Sequence, residues 1–262
     1  MKIQILYYSG AGNTKLIAKK IQKNLLSKKY DVSMLRITQN TSNQALHEAD
    51  LYIIGFPVYD LNAPELVTNT INNLHFSNKQ ILYFCTKAFL SAESIKDISE
   101  ISSKKGYKTI GTLDLFMPAT DALALFAKKN SRTEKILKSF HSRKIDNKIS
   151  KFLKKIDNAK EIRIKKKVYT HLSFLIPAKT RKAFHDQYIK YIPEFYSEKD
   201  ICIQCMLCVK GCPRENIQYD EGIKFGLNCD MCLACLHHCP VDSIQLGNYT
   251  KGNVRLRKIE IN

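Results

Sequence analysis

Residues 1 to 115 alternate between short apolar runs and amphipathic stretches. Ile3-Gln4-Ile5-Leu6-Tyr7 reads as a buried strand, and Ile17, Ile21 and Leu25 follow at four-residue spacing, as one face of a helix does. Residues 32–37 predict a second strand. Leu51-Tyr52-Ile53-Ile54 predicts a third ending at Gly55, Ile81-Leu82-Tyr83-Phe84 a fourth, and residues 108–115 a fifth. Helical patterns near 65–74 and 92–103 fill the gaps. Short apolar strands separated by helices predict an α/β fold with a doubly wound, five-stranded parallel sheet. Farther on, Ile136, Phe140, Ile149, Phe152, Leu153 and Ile156 stand among lysines. Part of that stretch is expected to be the amphipathic helix that closes the sheet. Beyond residue 160 the periodicity is lost, and Tyr169, Phe174, Phe184, Tyr188, Tyr191, Phe195 and Tyr196 are interleaved with basic residues. These aromatics are expected to pack linker helices against the regions on either side.

The first strand runs into Ser9-Gly10-Ala11-Gly12-Asn13-Thr14, which then opens a helix. That is the context a phosphate-binding turn requires. Glycines let the backbone curl around an anion, Ser9, Asn13 and Thr14 add polar side chains, and the helix N-terminus adds a favourable dipole. No Gly-Lys-Ser/Thr follows, so it is not a P-loop. Lys15 breaks the G-x-G-x-x-G dinucleotide pattern. In an open parallel sheet, ligands sit beyond the carboxyl ends of the strands. The loop after the third strand, with Pro57, Val58, Tyr59, Asn62 and Pro64, and the stretch Thr86-Lys87-Ala88-Phe89 after the fourth are therefore expected beside the same ligand.

Eight of the nine cysteines fall between 202 and 239, in two copies of one spacing. Cys202-x-x-Cys205-x-x-Cys208-x-x-x-Cys212-Pro213 is followed by Cys229-x-x-Cys232-x-x-Cys235-x-x-x-Cys239-Pro240. Ile217 follows Cys212 by the interval that separates Ile244 from Cys239, so a half-domain is duplicated with an offset of 27 residues. A disulfide framework needs an oxidising compartment, and no secretory signal opens the chain. Zinc sites favour paired C-x-x-C knuckles. The run resembles the ligand pattern of bacterial two-cluster ferredoxins, in which each motif's last cysteine ligates the other cluster. That resemblance assigns Cys202, Cys205, Cys208 and Cys239 to one [4Fe-4S] centre, and Cys229, Cys232, Cys235 and Cys212 to the other. With those thiolates present, His237 and His238 need not bind iron. The ninth cysteine, Cys85, is expected to be a buried, inert thiol.

The six residues from Ser9 to Thr14 also resemble the flavin mononucleotide (FMN) phosphate loop of flavodoxins. Together with Gly55-Phe56-Pro57-Val58-Tyr59, Asn62-Ala63-Pro64 and the paired cysteine motifs, the chain resembles the EFR1 family of flavodoxin–ferredoxin fusion proteins. The resemblance implies an FMN-binding domain over 1–160, a basic aromatic linker over 161–192, and a small α+β ferredoxin-type domain over 193–262. It also implies that Ser9, Gly10, Ala11, Gly12, Asn13 and Thr14 hold the phosphate. Pro57, Val58, Tyr59, Asn62, Thr86, Lys87, Ala88 and Phe89 would then flank the isoalloxazine, with Tyr59 as the stacking side chain. Ala11 stands where such loops usually carry threonine. This removes one hydroxyl whose bond to a charged group is worth about 1.5–3 kcal/mol.

The formal charge is +18, and residues 128–200 carry 21 Lys/Arg against 8 Asp/Glu. Such a segment is either a solvated helical surface or an attractor of acidic partners. No nucleic-acid-binding module accompanies the aromatics, so nucleic acid is not an expected partner. No apolar run is long enough to span a bilayer. Thiolates reserved for iron fit a reducing cytoplasm. Three functions stay open at this point. The protein is an electron carrier serving redox partners, an FMN-dependent reductase fed by its clusters, or a redox-responsive binding protein that uses its basic middle. No catalytic dyad or nucleophile can be read from the sequence.

Overall fold

A computed structural model describes residues 1–77, 80–89, 91, 93–158 and 178–257, with only the backbone described at 157, 158, 178–180 and 184. Residues 161–177 of the expected linker, with Tyr169, Phe174 and the lysines at 165–167, lie outside the described residues, as does the Phe184 side chain.

The N-terminal half alternates strand and helix as its periodicity requires: β1 (Lys2–Tyr7), α1 (Asn13–Ser27), β2 (Asp31–Arg36), β3 (Leu51–Pro57), α2 (Glu65–Asn73), β4 (Gln80–Lys87), α3 (Ser94–Lys104) and β5 (Lys108–Phe116). The five strands are parallel in the order β2-β1-β3-β4-β5. The order reverses between β1 and β3, the switch point at which ligands bind in open sheets. Period-two alternation divides the core. Ile3, Ile5, Tyr7, Ile53 and Phe84 face α1 and a later helix, while Leu6, Tyr8, Ile54, Tyr83 and Cys85 face α2 and α3. Ile17, Ile21 and Leu25 are fully buried, as their spacing predicts. Gln4 is buried but paired: its amide donates to the Ala45 carbonyl at 3.3 Å and its oxygen accepts from the His47 N–H at 3.1 Å.

β3 and β4 run farther than the apolar runs indicate. β3 continues through Gly55 to Pro57, and β4 through Cys85 to Lys87. Both continuations are buried backbone pairing strand to strand, with Gly55 opposite Phe84 and Pro57 opposite Thr86. Helices α4 (Thr120–Phe126), α5 (Arg132–Ser139), α6 (Ile145–Leu153) and the short α7 (Lys155–Asn158) follow. α6 closes the sheet as expected, burying Ile145, Ile149, Phe152 and Leu153 against the α1 side. α5 buries no residue, so this part of the basic middle is a solvated helix. Among the described residues no helix is long and apolar enough to cross a membrane.

After α8 (Ala178–Ile189) comes a small α+β lobe containing β6 (Phe195–Ser197), α9 (Leu207–Gly211), β7 (Ile217–Tyr219), β8 (Ile223–Phe225), α10 (Ala234–His238) and β9 (Ile244–Leu246). β6 pairs antiparallel with β9, and β7 with β8. The duplication seen in sequence is built into the backbone. α9 and α10, and likewise β7 and β9, are 27 residues apart. The left-handed residues repeat in step: Gln204 with Met231, Met206 with Leu233, and Glu215 with Asp242, all with φ between 50° and 58°. Non-glycine residues rarely take this conformation. Three matched pairs mark two copies of one loop rather than incidental strain.

The lobe's C-terminal tail returns to the sheet domain. Val254 and Leu256 pack with Leu123 and Ala127, and the buried Asn253 amide donates to the carbonyls of Ala124 at 2.9 Å and Leu125 at 3.0 Å. His237 is fully buried, bonded through Nε2 to the Thr120 carbonyl at 3.1 Å and through Nδ1 to the Leu256 N–H at 3.1 Å. Burial, then the nearby Arg255, lowers it to about 3, so it stays neutral and braces the fold.

Gly55 tests the packing at the sheet centre. A Cβ there would lie 1.9 to 2.5 Å from the Phe84 ring. Gly55→Ala is expected to destabilise the protein by about 1–3 kcal/mol through overpacking, as an earlier midpoint in urea unfolding with little change in slope.

Candidate functional site

The glycine-rich turn lies at the carboxyl edge of the sheet, between β1 and α1. Gly12 precedes α1 with φ 112° and has no side chain to cap it, and no acidic residue occupies the first turn of the helix. First-turn N–H groups have no intrahelical partner, so they face the turn ready for an anion. Thr14 is buried and its hydroxyl meets that of Thr86 at 2.8 Å, pinning the start of α1 to the end of β4. The Ser9 hydroxyl accepts from the Lys15 N–H at 3.2 Å. Asn13 donates to the Pro118 carbonyl at 2.9 Å, while its buried side-chain oxygen has no partner. A buried polar atom of that kind marks a place for a missing donor.

Twelve of the fourteen residues expected around a flavin converge on this place. Ser9, Gly10, Ala11, Gly12, Asn13, Thr14, Pro57, Val58, Tyr59, Thr86, Lys87 and Ala88 line one cavity. Asn62 and Phe89 stand outside it. Asn62 makes a two-way backbone bridge with Tyr59, at 3.0 and 2.7 Å, and so shapes the loop from behind. Phe89 is half exposed and meets Phe140 edge to face. Lys87 is not solvated: its ammonium contacts Asp114 at 3.2 Å and Ser91 at 3.0 Å, and lies over the Phe116 ring. Cys85 is buried with its sulfur 3.5 Å from Asp114.

The cavity has walls that strand-by-strand reading did not supply. Residues 117–121 after β5, Tyr188 of α8, and residues 230–233 of the C-terminal lobe complete it. The first group follows from the rule that ligand loops sit at strand carboxyl ends. The last group has no local signal, because only tertiary packing brings it there. A Cβ on Gly10 would lie 2.6 Å from the Cys232 carbonyl oxygen and 2.9 Å from the Cys232 Cβ. It would also lie 2.6 Å from the Tyr59 hydroxyl. Glycine at this position therefore allows two approaches at once, by the Tyr59 phenol and by the second cysteine motif. Tyr59 bonds the Gly10 backbone and sits edge to face on Tyr8, with ring centres 6.1 Å apart. Burial, then the neighbouring Cys232, pushes its hydroxyl well above the ordinary tyrosine range. These side chains leave about 90 Å³ of free space, less than the ~300–1,000 Å³ of a small-molecule pocket. The turn itself suits a phosphate, while the room for a flat ring is filled by Tyr59.

The eight cysteines sort into two groups that each draw on both motifs, and Cys235 also lies near enough to Cys208 to feel its charge. Cys232 and Cys235 both feel the charges of Cys229 and Cys212, whereas Cys208 feels those of Cys205 and Cys239. Cys212 therefore lies with the second motif and Cys239 with the first. Cys202 joins the first group through Ser243, which hydrogen-bonds Cys202 and gives its N–H to the Cys239 sulfur at 3.2 Å. Further N–H groups point at sulfur, from Met231 to Cys229 at 3.3 Å and from Asn216 to Cys212 at 3.4 Å. The left-handed residues at 204 and 206, and again at 231 and 233, recur beside these cysteines, as in the concave nests that suit phosphates and iron–sulfur centres. Burial raises the Cys229 thiol to about 11 and that of Cys232 to about 12. Burial also acts on Cys202, but hydrogen bonds from Gln204, Ser197 and Ser243 outweigh it and hold that thiol lower. Among the described residues no three His, Cys, Asp or Glu side chains converge closely enough for a single ion. A cubane makes a different demand, since each thiolate takes its own iron at a separate corner and the sulfurs stay well apart. The donor set of four soft thiols with amide support fits such a cluster. His238 is no ligand here: it bonds the Ala11 carbonyl, and burial, then Arg36 and Lys15, lowers it.

A sequence family described as "Flavodoxin domain" matches residues 4–161. The chain belongs to that family. Its strand order and its glycine-rich turn at the β1–β3 switch are those of a flavodoxin-like sheet. No curated protein matches the chain. Among solved structures, Flavodoxin 2 from Bacillus cereus is 18% identical, with 60% of this chain covered against 99% of that one and a TM-score of 0.46. The Streptococcus pneumonia TIGR4 flavodoxin is 15% identical, with 60% of this chain and 99% of that one covered and a TM-score of 0.44. A Fusobacterium nucleatum flavodoxin bound to flavin mononucleotide is likewise 15% identical, covering 60% of this chain and 97% of its own, with a TM-score of 0.41.

Gly10→Ala is expected to strain the contact between the flavodoxin domain and the C-terminal lobe rather than the turn alone. Chemical denaturation should show a loss of about 1–3 kcal/mol. Relief by a second substitution, Tyr59→Phe, would identify the crowded partner.

Proposed function

We propose that this protein transfers electrons between two [4Fe-4S] clusters in its C-terminal lobe and an FMN on its flavodoxin domain, as the resemblance to EFR1 flavodoxin–ferredoxin fusions implies. The observation that carries the reading is the contact of Cys232 with Gly10, which sets the second cysteine motif directly against the phosphate-type turn. A separate carrier would meet its flavin partner only by diffusion, whereas here the two sites share a wall. Cys202, Cys205, Cys208 and Cys239 would hold one cluster, and Cys229, Cys232, Cys235 and Cys212 the other. The two sulfur groupings described above support that division.

Ser9, Gly10, Ala11, Gly12, Asn13 and Thr14 would hold the FMN phosphate, with the N-terminus of α1 facing it. Ala11 lacks a hydroxyl, so backbone amides and the helix dipole carry more of the load. Pro57, Val58, Tyr59, Thr86, Lys87 and Ala88 would border the ring. Seating it requires Tyr59 to leave Gly10, and a tyrosine so released can lie against a ring face. FMN takes or gives one or two electrons, and clusters one, so their combination matches one-electron to two-electron partners. Because Lys87 is already paired with Asp114, it adds little net positive charge beside a reduced flavin.

One observation favours the reductase reading beside that of a pure carrier. A second cavity of about 470 Å³ lies on the far side of Tyr59, bordered by Asn62, Pro64, Arg181, His185, Leu227 and Cys229. It is of small-molecule size and touches both the ring-side loop and the second cysteine motif.

Purification without oxygen is expected to yield about eight iron atoms and one FMN per chain. Cys232→Ser should bring iron to about four while leaving the first cluster's spectrum. Iron near zero with zinc in its place would overturn the assignment.

A further inference from the structure

The seam between the lobes contains two charges that neither a phosphate turn nor a cluster motif calls for. Asp230 lies inside the second motif, between Cys229 and Cys232, and Arg214 follows Pro213 at the end of the first. Their side chains are 8% and 6% exposed. Asp230 Oδ1 accepts from Arg214 Nε at 2.8 Å and from Arg214 Nη2 at 2.6 Å. Asp230 Oδ2 accepts from the Tyr8 hydroxyl at 2.8 Å. Tyr8 stands between β1 and Ser9, so one carboxylate joins the second motif to the root of the glycine-rich turn. Arg214 extends the tie, donating to Glu65 at 2.8 Å and to Gln39 at 3.4 Å. Beside it, the Gln39 N–H donates to the Pro213 carbonyl and Arg36 to the Gly211 carbonyl, each at 2.7 Å. The loops after β1, β2 and β3 thus all converge on this one guanidinium–carboxylate pair.

We propose that Arg214 and Asp230 are a positioning pair that clamps the 229–233 loop over the glycine-rich turn. The clamp makes the second motif the one that exchanges electrons with the group on that turn. The start of the first motif faces outward instead, although its end at 211–213 meets the sheet domain: Cys205 is exposed, and Ile203 and Leu207 beside it are 60% and 49% exposed. The route therefore has a polarity. With the groups bound, a low-potential one-electron donor would meet the Cys205 side, and the electron would cross to the Cys232 side. The cluster held there would lose one electron as the flavin gains it. A second such transfer, with protons taken from water, would complete two-electron reduction of the flavin. The electron route rests on the function proposed above, while the clamp rests on the seam alone.

The test uses the full chain, purified without oxygen, as wild type, Asp230→Asn, Arg214→Met and Tyr8→Phe. Two quantities are read: hydrogen exchange of the peptide covering 9–14, and stopped-flow reduction by dithionite with cluster bleaching and flavin bleaching followed separately. The clamp variants should keep iron and flavin content and cluster bleaching rate. Flavin reduction should slow by on the order of tenfold to a hundredfold, as small misplacements of reacting groups do, and exchange at 9–14 should rise. Tyr8→Phe, which removes one hydroxyl, should move both in the same direction by less, and it covers the case in which a charge variant fails to fold. Unchanged exchange with unchanged flavin reduction would overturn the clamp. Raised exchange in variants of a wild type whose clusters never reduce its flavin would uphold the clamp and overturn the electron route.

Discussion

A buried carboxylate must be paired or it will not stay buried as an anion, and Asp230 is placed where only a folded, two-lobed chain can pair it. Tyr8 directly follows the first strand, Arg214 comes from the turn after the first cysteine motif, and they lie 222 and 16 residues from Asp230 in sequence. Leaving one partner of such a pair alone is strongly unfavourable, by about 3–5 kcal/mol in typical cases. The favourable arrangement therefore admits few relative positions of the lobes. Once this contact is set, Cys232 and the Tyr59 hydroxyl both lie against Gly10, and the cavity at the sheet edge acquires its final wall.

The tail closes the opposite side with a different chemistry. Asn253 satisfies carbonyls near the end of α4, His237 is held neutral between Thr120 and Leu256, and Val254 and Leu256 add apolar contact. Charged, polar and apolar ties thus bracket the cysteine-rich lobe. Its own core is small, as expected of a domain that relies on neighbours for much of its order.

Much of this was legible in the chain. β1 to β5, α1 to α3 and the closing helix α6 follow from periodicity, because each packs one face or one stripe on the sheet and its apolar positions repeat accordingly. Twelve of the expected flavin-side residues line one cavity because turns at strand carboxyl ends gather at one edge in any parallel sheet. The exceptions are equally physical. Phe89 lies on the surface with Phe140, since a single aromatic in a loop has no period to fix its direction. Lys87 is held by Asp114, its neighbour across β4 and β5, a partner 27 residues away. Residues 117–121, Tyr188 and 230–233 were missed at the site because they reach it through tertiary packing.

What the sequence determined by itself is local and periodic: the strand–helix alternation, the glycine turn, the paired cysteine spacing and its 27-residue repeat, which the backbone reproduces residue for residue in its left-handed turns. These depend on neighbours a few residues apart, so a linear pattern records them. The tertiary structure alone decided which motif meets the glycine-rich turn and which presents Cys205 to solvent. Two copies with the same cysteine spacing are distinguished only by what they touch. Asp230 and Arg214 resolve that choice through long-range pairing, which carries no signal in composition or spacing.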